Sequence, residues 1–161
     1  MKRLFLILLF FSAFLLFSCR AEYGILDYQE KDIVAECMVN GKYKVEIQKT
    51  QNMRKVTVLE PQNARGISFE IGERAYALYG ETKIEIEKAH LDGICALAEI
   101  FSQSEECLTT AKEQGGGSVL TFQNDTCVYK ITFGEHSLPK HIYILSEGFE
   151  YNIDILSIDL K

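Results

Sequence analysis

Beyond residue 31 the chain is written largely in the two-residue alternation of β-strands. Ile33, Ala35, Cys37 and Val39 alternate with more mixed neighbours. Asn40-Gly41 follows, a two-residue hairpin signal because both positions tolerate positive φ. After it Tyr43, Val45 and Ile47 face one way while Lys44, Glu46 and Gln48 face the other, the pattern of a half-buried antiparallel pair. Met53 to Glu60 predicts a third strand centred on Val56 and Val58, and Pro61 to Gly66 a turn. Ile67 to Ile71, Ala75 to Tyr79 and Lys83 to Glu87 complete a six-strand meander, divided by Gly72-Glu73 and Gly80-Glu81. Such a sheet must cover one face with something else.

The period then changes. Leu91, Ile94, Cys95, Ala98 and Phe101 fall at helical spacing, and Leu97 and Ile100 widen the stripe, which predicts a helix from Leu91 to Gln103. Asp92 or His90 is placed to cap its start, and Ser102 to Ser104 to end it. Residues 106–113 fit either a longer helix or an edge strand. Thr109-Thr110 and the glycines at 115–117 favour the strand, with a loop after it. Strands resume at Val119 to Gln123 and, after the Asn124-Asp125 turn, at Cys127, Tyr129, Ile131 and Phe133. His141 to Leu145 and a closing strand through Tyr151, Ile153, Ile155 and Ser157 end the chain. The expected architecture is α+β but mostly β: a curved antiparallel half-barrel of about ten strands wrapped on one main helix, a single domain over 31–161.

The amino-terminal stretch follows another logic. Lys2 and Arg3 precede an apolar run from Leu4 to Phe17, broken only by Ser12, which is the form of a secretory signal peptide. The run is too short to span a bilayer comfortably, since a spanning helix takes roughly 20 apolar residues. It ends Leu16-Phe17-Ser18-Cys19, which resembles the lipobox of bacterial lipoproteins. That resemblance implies that Cys19 accepts a diacylglyceryl group through its thiol, that residues 1–18 are cut away, and that added acyl groups such as palmitate anchor the chain. Two acyl chains give stable anchoring where one gives marginal binding. Phe17 is bulkier than the residue usual at its place. Residues 19–30 are expected to be a lipidated tether and lead-in segment, in which Tyr23, Ile25, Leu26 and Tyr28 suit a short helical turn over one end of the core.

Charge and cysteine content narrow the field. Both leader charges are basic, so beyond residue 18 there remain 15 Lys and Arg against 23 Asp and Glu, a net charge of −8. An acidic surface excludes nucleic acid as a natural partner and gives no electrostatic attraction to anionic lipid. Attachment is therefore expected through acyl chains on Cys19. Cys37, Cys95, Cys107 and Cys127 allow three disulfide pairings if export brings oxidation. Because Cys37, Cys95 and Cys127 fall on apolar faces, packing as small unpaired core groups is the preferred reading.

Strand meander, helix and further strands behind a lipobox, with Tyr129-x-Ile131 and Leu138-Pro139-x-x-Ile142 among them, resemble small bacterial lipoproteins. Those are similar in turn to the LolA/LolB-like half-barrel carriers that sort outer-membrane lipoproteins. The resemblance lies in element order and spacing across most of the mature chain. It implies a concave apolar face that holds acyl chains without covalent catalysis.

Reactive constellations are sparse. There is no Cys-x-x-Cys, and His90, His136 and His141 lie in different elements, so no metal site is expected. Ser137 follows His136 without a Gly-x-Ser-x-Gly turn, and Gly115 to Gly117 lacks the Lys and Ser/Thr of a phosphate loop. Glu85 and Glu87 share a solvated strand face with Lys83, and Asn124-Asp125-Thr126 reads as a hairpin rather than a sugar acceptor. No enzyme and no cofactor are expected. The expected function is that of a membrane-anchored, extracytoplasmic lipoprotein binding lipid or acylated peptide. Val45, Ile47, Phe69, Ile71, Leu97, Phe101, Tyr129 and Ile131 are the candidate lining. The alternative is an adaptor with a solid core, acting on an envelope protein through its outer surface.

Overall fold

The computed structural model describes residues 31–114, 117–134 and 138–161. The leader, Cys19, the tether, Gly115-Gly116 and His136-Ser137 lie outside these residues. Eleven strands form one sheet: β1 Ile33–Val39, β2 Tyr43–Lys49, β3 Arg54–Glu60, β4 Ser68–Ile71, β5 Ala75–Tyr79, β6 Thr82–Ile86, β7 Leu108–Gln114, β8 Gly117–Gln123, β9 Val128–Phe133, β10 Pro139–Leu145 and β11 Glu150–Leu160. A single α-helix among the described residues, α1 (Asp92–Ala98), lies between β6 and β7. The count exceeds the expected ten by one, and the edge strand favoured for residues 106–113 is present as β7.

The strand order is β6-β5-β4-β3-β2-β1-β11-β10-β9-β8-β7, so two meanders meet where the first strand pairs with the last. Both edges of the sheet are therefore joined by one connection, residues 87–107. Ten interstrand steps would set the edges of a flat sheet about 48 Å apart. A connection that includes helix, rising only about 1.5 Å per residue, would be nearly taut across that span. The sheet is instead curved and unclosed, with the helix on its concave side.

Local chemistry sets the registers. Asn40 and Gly41 adopt φ of 52° and 62°, as the hairpin reading requires. Asn40 also ties this hairpin to β11: its amide accepts from Asn152 N at 2.7 Å and donates to Glu150 O at 3.2 Å. Asn124 Oδ1 accepts from Thr126 N at 3.0 Å and Cys127 N at 2.7 Å, closing the β8–β9 turn. β11 contains a bulge opposite Glu36 and Cys37, so that Cys37 faces Ile155 and Ala35 faces Ile158. Ser157 is thereby turned to solvent, and Ile158 takes the inward place the simple alternation gave it.

The helix is shorter than the periodicity predicts. It spans seven residues and has no side-chain cap at its start; His90 lies 3.7 Å from Glu87 instead. After Ala98 the chain continues in tight turns, with Ile100 N bonding Leu97 O and Ser102 N bonding Glu99 O. Those turns keep Ile100 and Phe101 in the core and set Ser102 Oγ 2.9 Å from Arg54 Nε on β3. Ser104 caps the following 3-10 turn through Glu106 N.

Candidate functional site

Cross-strand pairing carries one face of the sheet from the centre to the β6 edge. Cys37, Val45 and Val58 share it, as do Ala35, Ile47, Val56, Phe69, Ala77 and Ile84 in the next row. Ile71, Ala75 and Ile86 form the row beyond. The opposite, convex face is richer in charge, with half-buried Tyr76 and Leu78 among its charged residues. Glu70 lies 2.8 Å from Lys83 and 4.0 Å from Lys55, Lys83 sits 4.2 Å over the Tyr76 ring, and Arg74 pairs with Glu85 at 3.2 Å.

The concave face is covered unevenly. α1 packs on β2, β3 and β4, and Ala96, Leu97, Ala98, Ile100 and Phe101 join Val45, Ile47, Val56 and Ile71 in one buried cluster. Seven residues cannot reach across the whole meander. Past the helix the same face opens: Phe69, Val58, Ala77 and Ile86 are half-buried, and Tyr43 at 49 %, Ile84 at 58 % and Tyr79 at 65 % are exposed. Phe69, Ala77 and Ile84 thus continue the row of buried Val56 to the β6 edge as a strip, with Tyr79 on the same face of β5, whereas Tyr43 stands apart on β2 opposite Val39.

Of the expected lining residues, Val45, Ile47, Ile71, Leu97, Phe101, Tyr129 and Ile131 are all buried within that cluster, and Phe69 stands half-buried at its border with the open strip. Their side chains fill the seam between helix and sheet. On this face of β2, β5 and β6 the accessible apolar surface instead belongs to Tyr43, Tyr79 and Ile84, which the alternation had marked as ordinary strand positions; Leu108, Leu145, Leu156 and Leu160 are exposed elsewhere. Their signal in the sequence was present but mute, since face follows from alternation whereas exposure depends on helix length.

A second feature lies beside the helix. Asp92, Cys95, Ala96 and Glu99 of the helical segment face Asp125, Thr126, Cys127, Tyr129 and residues 146–149 across a half-open cleft of about 440 Å³. Its lining mixes carboxylates, thiols and the Phe149 ring, unlike the apolar strip. Burial, chiefly, raises the Tyr129 phenol well above its ordinary pKa, and its neighbour Cys127 adds to this. Burial also raises the Cys95 thiol, with Glu99 contributing. Among the described residues no group of three His, Cys, Asp or Glu is placed to hold a metal ion, and no helix is long and apolar enough to cross a membrane.

No protein-family model and no curated protein matches the sequence. The chain is similar to an uncharacterized conserved protein from Thermus thermophilus, at 10 % identity and TM-score 0.49, over 88 % of each chain. It is similar to a LolA superfamily protein from Nitrosomonas europaea at 9 % identity and TM-score 0.43, over 86 % of this chain and 92 % of that one. A domain named for outer-membrane lipoprotein sorting, from Vibrio parahaemolyticus, is similar at 7 % identity and TM-score 0.48, over 86 % and 92 %.

Proposed function

We propose that this chain is a non-catalytic, membrane-tethered binding module whose open concave strip holds an apolar ligand, a lipid or an acylated peptide. One observation carries the reading. Phe69, Tyr79 and Ile84 carry the apolar face from buried Val56 out to solvent at the β6 edge, opposite the face that bears the Glu70–Lys83 pair. Leaving such surface wet is unfavourable by about 25 cal/mol per Å², so a ligand that covers it is stabilised in proportion. In this reading Val45, Ile47, Ile71, Leu97, Phe101, Tyr129 and Ile131 form the rigid backing, and Phe69 contacts the ligand directly. Acyl chains on Cys19 hold the domain at an extracytoplasmic membrane surface, where apolar ligands are concentrated.

The filled seam between helix and sheet favours a second reading, an adaptor that uses the same strip against the apolar surface of an envelope protein. Native mass spectrometry of the Cys19→Ala chain recovered from the extracytoplasmic fraction separates the two. Co-purified lipid or acylated peptide, lost on mutation of Tyr79 and Ile84, supports ligand binding. A bare domain that also takes up no fatty acid refutes it. The same variant tests the anchor, because retention in the membrane fraction without Cys19 counts against lipidation.

A further inference from the structure

The structure sorts the four cysteines beyond residue 19 into different settings. Cys37 is fully buried on β1, between Val45 of β2 and Ile155 of β11. Cys107 ends the 3-10 turn before β7. Cys95, from α1, and Cys127, at the mouth of β9, line the same half-open cleft. All four are free thiols here. We propose that Cys95 and Cys127 are a dithiol–disulfide pair whose oxidation closes the cleft and staples α1 to the β8–β9 turn.

Three observations support the assignment. The two thiols come from elements joined only through a long connection, yet open onto one cavity. Asn124 Oδ1 fixes the turn that presents Cys127, and the Tyr129 phenol, hydrogen-bonded with the Cys127 and Gln103 side chains, fixes its floor. Cys95 is the more exposed of the two and so the first that a dissolved oxidant reaches, while burial and Glu99, which raise its thiol, slow the attack. α1 is a single short helix held by buried Ala96, Leu97 and Ala98, with no side-chain cap at its start, and Cys95 lies half-buried on its cleft side. A disulfide requires the two Cα atoms to lie within roughly 4.4–6.8 Å of each other, so the oxidised state is one in which the cleft between α1 and the β8–β9 turn is narrowed.

The oxidant is a low-molecular-weight disulfide, for which glutathione disulfide serves as probe. Cys95 loses its proton, and its sulfur attacks one sulfur of the oxidant. One S–S bond forms, the old one breaks, and the first glutathione leaves as a thiolate that takes up a proton. Cys127 then loses its proton and attacks the Cys95 sulfur of the mixed disulfide, expelling the second glutathione. Two electrons pass from the protein thiols to the oxidant, which is reduced to two thiols. The helix that covers half the concave face is then held covalently to the opposite half of the sheet.

The test exposes the full chain to glutathione disulfide, alkylates the remaining thiols and maps peptides by mass. Trypsin leaves Cys95 and Cys107 together on residues 89–112 and Cys127 on 113–130, so fragmentation of the cross-linked pair must place the bond. The expected bond joins Cys95 to Cys127, with buried Cys37 alkylated only after denaturation and half-exposed Cys107 alkylated without it. Cys127→Ser is expected to stop at a glutathione adduct on Cys95, and Cys95→Ser to give neither adduct nor bridge. Oxidation is expected to raise the melting temperature by on the order of 10 °C, an increase absent from both variants. A bond to Cys107 or Cys37, or Cys95 and Cys127 both alkylated after exposure, overturns the proposal. A bridge that forms without raising the melting temperature overturns the stapling of α1.

Discussion

Tyr79 and Ile84 offer a direct way to separate binding from folding. Both lie on the concave face, both are largely wet, and neither belongs to the buried cluster. Fully burying an isoleucine side chain is worth about 1.5–3 kcal/mol. Covering the 58 % of Ile84 that is exposed would therefore return about 0.9–1.7 kcal/mol to a bound ligand. Tyr79, exposed by 65 %, adds about 1–2 kcal/mol. The double variant Tyr79→Ser, Ile84→Ser should lose about 2–3.5 kcal/mol of affinity, or about 30–400-fold. Its folding stability should move by less than about 0.5 kcal/mol for each site, because little packing is removed. Titration with a dansyl-labelled fatty acid reads the first quantity and chemical denaturation the second. Lys83→Ser serves as control: it removes the pair with Glu70 on the convex face and should leave binding unchanged. Fatty-acid affinity within about threefold of the parent, in a double variant that remains folded, would refute the strip as the ligand site.

Other consequences follow from the packing. Ile47→Ala, at a position with no exposure beneath α1, should cost about 2–5 kcal/mol in denaturant unfolding. Asn40→Ala loses two hydrogen bonds to β11 and keeps a positive φ, costing about 2–4 kcal/mol. Asn40→Gly relieves the φ term and should cost about 1–2 kcal/mol less than Asn40→Ala, so equal losses would discount backbone strain. Burial, with Glu36 beside it, pushes the Cys37 thiol from 9.0 up to about 12. Below pH 9 both folded and unfolded chains keep this proton; between 9 and 12 only the folded chain does, so stability falls by about 1.4 kcal/mol per pH unit. The stability gap between the parent and Cys37→Ala should accordingly narrow by about 2 kcal/mol from about pH 8.5 to about pH 10.5, and a constant gap would argue against a buried neutral thiol.

Much of the fold was legible because strands and hairpins are local. The alternation through Val45 and Ile47 depends only on the two-residue period, and Asn40-Gly41 on the steric freedom of two residues. The edge strand at 108–114 stayed ambiguous because its Thr, Ala, Lys and Glu residues carry no apolar period; pairing with β8 settles it. The bulge in β11 was hidden for a related reason. It exists only because β1 presents Cys37 and Ala35 opposite, and that match moves Ile158 inward in place of Ser157.

The candidate site shows the same division more sharply. Sequence periodicity alone placed Val45, Ile47, Phe69, Ile71, Leu97, Phe101, Tyr129 and Ile131 on inward faces, since side-chain direction is set by local backbone geometry. Whether an inward side chain is packed or open depends on what crosses above it, which no local pattern records. The helix stops at Ala98 when turns draw Ile100 and Phe101 into the core, so it seals one part of the concave face and leaves Tyr43, Tyr79 and Ile84 to solvent. Pairing the first strand with the last brought the two meanders into one sheet, and curvature brought Cys95 opposite Cys127. Short-range pattern was therefore enough for most of the strands and their faces. Packing in three dimensions selected which apolar residues became core and which became surface for another molecule, because burial is a property of neighbours distant along the chain.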